Sequence, residues 1–135
     1  MRSSLILACL LAACGGSSTG SSCTVDSDCS GDVCARDGQC YPSSQVRSVA
    51  ITWTVSGAAP TTSSCSEFPD LTLEFDNADG VNAFEFEPVP CIEGKFTIDK
   101  LPLDYVQVDL GLADSFTAAS QTIGSDNMVS FDLTP

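Results

Sequence analysis

Between Val49 and Leu133 apolar residues fall at every second position, and that alternation leaves the chain few folds to choose from. Val49, Ile51, Trp53 and Val55 are separated by Ala50, Thr52 and Thr54. Successive strand side chains point to opposite faces, so such a run has one dry face and one wet face. The same period returns in Leu71/Leu73/Phe75, Phe84/Phe86, Phe96/Ile98, Val106/Val108/Leu110/Leu112 and Val129/Phe131/Leu133, with a weaker run near Phe116. Gly57, Asp79-Gly80, Glu93-Gly94, Leu101-Pro102 and Ser125-Asp126-Asn127 supply turn chemistry between them. No stretch carries the 3.6-residue period of a useful amphipathic helix. Six to seven short strands over residues 46–135 predict an all-β fold, a single small β-sandwich with one apolar row turned inward from each sheet.

The N-terminus is built differently. Arg2 precedes the apolar run Leu5-Ile6-Leu7-Ala8-Cys9-Leu10-Leu11, which ends in Ala12-Ala13-Cys14. A cation, an apolar run too short to span a bilayer and two small residues read as a signal peptide over residues 1–13. Leu11-Ala12-Ala13-Cys14 matches all four positions of the lipobox and resembles the signal of bacterial lipoproteins. The resemblance implies lipidation of Cys14: its thiol is diacylated with palmitate-type chains, the bond before it is cut, and the new amino group is often acylated too. Two or more chains anchor stably, because each buried methylene contributes about 0.8 kcal/mol. Gly15 stands where that family places an aspartate for inner-membrane retention, which implies an exported protein held on the outer membrane. Residues 14–22 then comprise the lipidated cysteine and a Gly/Ser tether, Gly15 to Ser22, with a reach of roughly 15 Å.

With Cys9 lost and Cys14 lipidated, six cysteines remain: Cys23, Cys29, Cys34, Cys40, Cys65 and Cys91. An even set in an exported chain reads as three disulfides. There is no Cys-x-x-Cys pair and no histidine, which argues against zinc and against Ser-His or Cys-His catalysis. Residues 23–42 hold four of the six, spaced Cys-x5-Cys-x4-Cys-x5-Cys, with Val25 and Val33 almost the only large apolar residues. So little apolar area cannot offset the entropy of ordering the chain, so crosslinks must hold this knot. Its four cysteines pair among themselves in one of three ways, and the spacing does not choose; interleaved pairing, Cys23 with Cys34 and Cys29 with Cys40, is the expectation carried forward. Cys65 paired with Cys91 closes a loop of about 27 residues, worth roughly 3.5 kcal/mol in the chain-entropy model.

Two further resemblances follow. Cys23-Thr24-Val25-Asp26-Ser27-Asp28-Cys29, with Gly31, Cys34 and Cys40, resembles small cysteine modules near the anchors of lipoproteins from myxobacteria and their relatives. Downstream, Trp53, Gly57, Cys65, Cys91, Gly94, Phe96, Leu101, Pro102 and Tyr105 follow an order similar to the β-sandwich domains of those lipoproteins. The end of that pattern resembles prealbumin-like or carboxypeptidase-regulatory-like sandwiches, although Leu101-Pro102-Leu103-Asp104-Tyr105 lacks a glycine those families carry and is one residue shorter. The resemblance implies a scaffold or binding module.

Eighteen carboxylates follow Cys14, against four cations, Arg36, Arg47, Lys95 and Lys100, for a formal charge of −14. Such an excess opposes nucleic acid and anionic headgroups and leaves room for a cation or a basic partner. Asp26, Asp28, Ser30, Asp32 and Asp37, with Gly31 between them, sit at the spacing of a calcium-binding EF-hand loop. The last ligand is Asp rather than the bidentate Glu, no helices flank the loop, and Cys29 and Cys34 lie inside it. The plain alternative is a set of solvated turn carboxylates. Asp76-Asn77-Ala78-Asp79-Gly80 reads as an acidic tight turn, Glu85 and Glu87 as a wet sheet face. Of the residues able to stack on a sugar, Trp53 belongs to the inward row, which leaves Tyr41 and Tyr105. No nucleophile–base set or phosphate loop is present, so the expectation is a non-enzymatic, lipid-anchored binding module with no cofactor beyond a candidate Ca²⁺. Its partner would be a protein or a surface polymer; a purely structural spacer and a calcium-binding surface protein are the alternatives.

Overall fold

The structure, a computed structural model, describes residues 21–112 and 119–135. The signal, Cys14 and most of the tether therefore lie outside the described residues, as does the run at Phe116. No helix among the described residues is long and apolar enough to cross a membrane.

The knot is a two-stranded antiparallel ribbon, β1 (Val33–Cys34) and β2 (Cys40–Tyr41), preceded by a single 3-10 turn at Asp26–Cys29. Its disulfides are interleaved, Cys23 to Cys34 and Cys29 to Cys40. The sulfurs are its core: Cys29, Cys34 and Cys40 are buried and Cys23 packs against them. Order starts before the first cysteine, since Ser21 O accepts from Cys40 N at 3.2 Å and Cys23 N donates to Gly38 O at 2.8 Å.

The rest is a seven-stranded sandwich. In one sheet β3 (Val46–Val55) lies between β6 (Lys95–Pro102), antiparallel to it, and β9 (Met128–Leu133), parallel to it. The other sheet runs β5 (Ala83–Val89), β4 (Leu71–Asn77), β7 (Tyr105–Leu112), β8 (Ala119–Thr122), antiparallel throughout. The alternating residues meet between the sheets: Val49, Ile51, Trp53 and Val55, Leu71, Leu73 and Phe75, Val108 and Leu110, and Val129, Phe131 and Leu133 are all buried. Phe84 and Phe86 are only half-buried because β5 is an edge strand. Phe75 stacks on Phe84 at 5.4 Å and meets Phe86 edge-on at 5.9 Å, and Phe86 reaches Phe96 of the opposite sheet at 4.9 Å. Trp53 is core, its indole N–H donating to Cys91 O at 2.8 Å beside the Cys65–Cys91 disulfide.

Three local departures from the sequence expectations have clear causes. Leu101 and Pro102 end β6 rather than turning the chain; the turn is Leu103-Asp104. In β6, Ile98 and Leu101 both face inward although three residues apart, because a bulge sets Asp99 and Lys100 against the single residue Ser48. A bulge adds a residue and re-aims its side chains. Finally, β4 and β5 are joined not by a tight turn at Asp79-Gly80 but by the longer segment 78–82. Buried Asn77 organises it, its Oδ1 accepting from Val81 N at 3.1 Å and Asn82 N at 3.3 Å.

Candidate functional site

The β6 bulge decides how knot and sandwich meet. It turns Asp99 and Lys100 toward the knot, with Lys100 held at φ 53°, a left-handed conformation uncommon for a lysine. Lys100 Nζ donates to both carboxylate oxygens of Asp26 at 2.8 Å. Arg36 pairs with the Asp99 carboxylate, and its Nε donates to Asp99 O at 3.2 Å. Arg36 N adds a main-chain bond to Lys100 O at 3.1 Å. Lys100 and the N–H of Cys34 hold the Asp26 carboxyl below its ordinary value, and Arg36 does the same for Asp99. These pairs are exposed and energetically small. Running in opposite senses, one cation from each module, they fix orientation.

The same contacts disperse the expected calcium ligands. Asp26 is bound to Lys100 and to Cys34 N at 2.9 Å. Asp28 Oδ2 accepts from Thr24 N, Thr24 Oγ1 and Val25 N within 3.2 Å. Asp37 accepts from Gln39 N at 3.1 Å and from the Tyr41 hydroxyl at 2.8 Å. Ser30 lies at φ 49° at the end of the 3-10 turn, and Asp32 is half-buried beside it. Among the described residues, the one set of three potential ligands within 4.8 Å is Cys23, Cys29 and Cys40, and their sulfurs are disulfide-bonded. Asp26, Asp28, Ser30, Asp32 and Asp37 are not brought together.

What the junction does build is a groove of about 420 Å³. The knot contributes Asp37, Gln39 and Tyr41, the start of β5 contributes Asn82 and Phe84, and the β6–β7 turn contributes Asp104 and Tyr105. Phe84 and Tyr105 meet edge to face at 4.9 Å. Tyr105 is 4 % exposed, and its hydroxyl makes no hydrogen bond to any described residue. Burial, the Asp37 hydrogen bond and the charges of Asp37 and Asp104 push the Tyr41 hydroxyl well up; burial and the same two carboxylates raise Tyr105. Both phenols therefore stay protonated in neutral solution, facing two carboxylates. None of the four cations that follow Cys14 lines the groove: Arg36 and Lys100 are in the clamp, Arg47 bonds Tyr105 O at 2.6 Å from behind, and Lys95 is at the far end of β6. The sequence offered one hint, that Tyr41 and Tyr105 are the chain's two tyrosines; their meeting depends on tertiary contacts, the Arg36 and Lys100 pairs and the bond of Leu103 N to Gln45 O at 3.0 Å. The chain matches no family model, no curated protein and no solved structure.

A second acidic feature is the wet face of the four-stranded sheet. Glu85, Glu74 and Asp109 lie abreast in register across β5, β4 and β7, and Asp76 is next to them on β4. Gln107 Nε2, at 3.1 Å, and the Ser120 hydroxyl donate to Asp109. Burial first, then Asp76, Asp109 and Glu85, raise the Glu74 carboxyl above its ordinary value. A raised carboxylate disfavours the folded state when ionised, and that penalty is relieved as pH falls through the raised value. Like charges directly opposite on strands are destabilising. Glu74→Gln is therefore expected to stabilise the protein at neutral pH by about 0.2–1 kcal/mol. The gain is lost as pH falls from the raised value toward the ordinary 4.5, below which the wild-type carboxyl is protonated in both states. Thermal melts on either side of that pH check it; a lower neutral-pH midpoint for the variant would contradict it.

Proposed function

We propose that this is a lipid-anchored envelope lipoprotein, tied to the outer membrane through Cys14, that acts as a non-catalytic binding module. The knot–sandwich groove is where it engages a protein or a surface polymer. The observation that carries the proposal is the groove's construction from two modules, with the carboxylates of Asp37 and Asp104 and the two tyrosines converging on it. Concave sites with a few convergent polar groups are where ligands bind. The lipobox at Leu11-Ala12-Ala13-Cys14 and the resemblance to myxobacterial lipoproteins support the anchor. The absence of histidine from the sequence supports binding over acid–base chemistry. The clamp favours a second role compatible with the first: a stiff spacer between lipid and sandwich.

The anchor is tested with Cys14→Ser in the protein's own cells. Palmitate incorporation and recovery in the membrane fraction are both expected to be lost; retention of both would overturn lipidation. Binding is tested by a photo-crosslinking side chain at Asn82, at the groove, and another at Thr134. One reproducible adduct from position 82 alone supports the module, and identical random adducts from both positions reduce the protein to a spacer.

A further inference from the structure

We infer that the groove takes a cationic side chain, the guanidinium or ammonium of an arginine or lysine on a basic partner, held between Asp104, Asp37 and the two tyrosines. The inference rests on the binding-module reading above and names the chemistry of its ligand. Two carboxylates face this space with no lysine or arginine lining it. Asp37 is engaged with Tyr41 and with Gln39 N, whereas the Asp104 carboxylate accepts no hydrogen bond from any described residue and sits exposed on the Leu103-Asp104 turn. Tyr105, its residue 4 % exposed, opens onto the same space, and its hydroxyl makes no hydrogen bond to any described residue. A guanidinium supplies what is missing: positive charge for the carboxylates, N–H donors for Asp104 and for the Tyr105 oxygen, and a cation beside aromatic rings. A neutral sugar would hydrogen-bond these groups and leave both negative charges uncompensated.

The two tyrosines make the test specific, since both belong to the groove. The full-length chain, labelled with ring-13C tyrosine, is titrated with a tetra-arginine peptide and followed by NMR. Both tyrosine signals are expected to move saturably. Asp104→Asn weakens binding by about 1.4- to 5-fold, the range of one exposed charge pair. Tyr105→Phe weakens it too, read on the remaining Tyr41 signal. Glu85→Gln, on the sheet face, leaves it unchanged. Unmoved tyrosine signals overturn the inference, as does equal weakening by Glu85→Gln and Asp104→Asn, which would mean diffuse attraction to an acidic surface. Saturable shifts with maltohexaose and none with the peptide overturn the cation while leaving the binding module intact. Failure of the module itself shows separately, in the crosslinks from position 82.

Discussion

Replacing Cys29 and Cys40 together with serine is expected to unfold the knot and leave the sandwich standing. The buried residues of the knot are Cys29, Cys34, Cys40 and Ala35, so the crosslinks are its core. Each disulfide joins cysteines 11 residues apart and is worth about 3 kcal/mol in the chain-entropy model. Ordering costs about 1–2 kcal/mol per residue, and the exposed pairs to Asp99 and Lys100 add little against it. Trypsin reads the outcome directly. Arg36 lies inside the knot, and cleavage after it is expected to be slow in the wild type and rapid in the double variant. The unfolding transition followed by Trp53 fluorescence is expected to shift by no more than about 5 °C, equivalent to about 1 kcal/mol. Slow cleavage in the variant would show that the clamp alone orders the knot. The variant also loses the Asp37–Tyr41 half of the groove.

Phe75→Ala is the complementary experiment, directed at the sandwich. Phe75 is 0 % exposed and its ring is in contact with both Phe84 and Phe86. Truncating such a side chain removes apolar burial and leaves a cavity, for about 3–5 kcal/mol. In a domain of this size that lowers the melting temperature by roughly 15–30 °C. Phe84→Ala, on the half-buried edge strand, is expected to lose less than half as much. Comparable losses at the two positions would mean that β5 is packed more deeply than its exposure indicates.

The sandwich was legible because period-two burial is written in every central strand. Val49 through Val55 and Leu71 through Phe75 turned inward as their alternation required. What escaped was local and geometric. The bulge at Asp99-Lys100 has no sequence signature, since Lys100 occupies a conformation usually given to glycine, and the bulge moves the turn from Leu101-Pro102 to Leu103-Asp104. Strand β8, Ala119–Thr122, has four exposed residues and no apolar alternation to announce it. The knot ribbon is too short for any periodicity. The groove was invisible for a different reason: Asp37 and Asp104 are brought to one place by tertiary contacts, those of Arg36 and Lys100 and the bond of Leu103 N to Gln45 O at 3.0 Å. Spacing within its own loop points Asp37 toward a metal, whereas its carboxylate accepts hydrogen bonds from Tyr41 and Gln39.

The parallel pairing of β3 with β9 sets an order of completion. Thr52 and Ser130, side by side in that ladder, are 78 residues apart, so the central strand of one sheet waits for almost the last segment of the sandwich to be synthesised. Contacts of such long range slow folding, because a large loop must close before they form. The knot needs nothing beyond residue 41. A chain emerging amino-end first therefore has every cysteine of its knot in hand long before its sandwich can shut. Until Met128–Leu133 arrives, the flank of β3 stays open, and whatever shields that edge during synthesis decides the yield of folded protein.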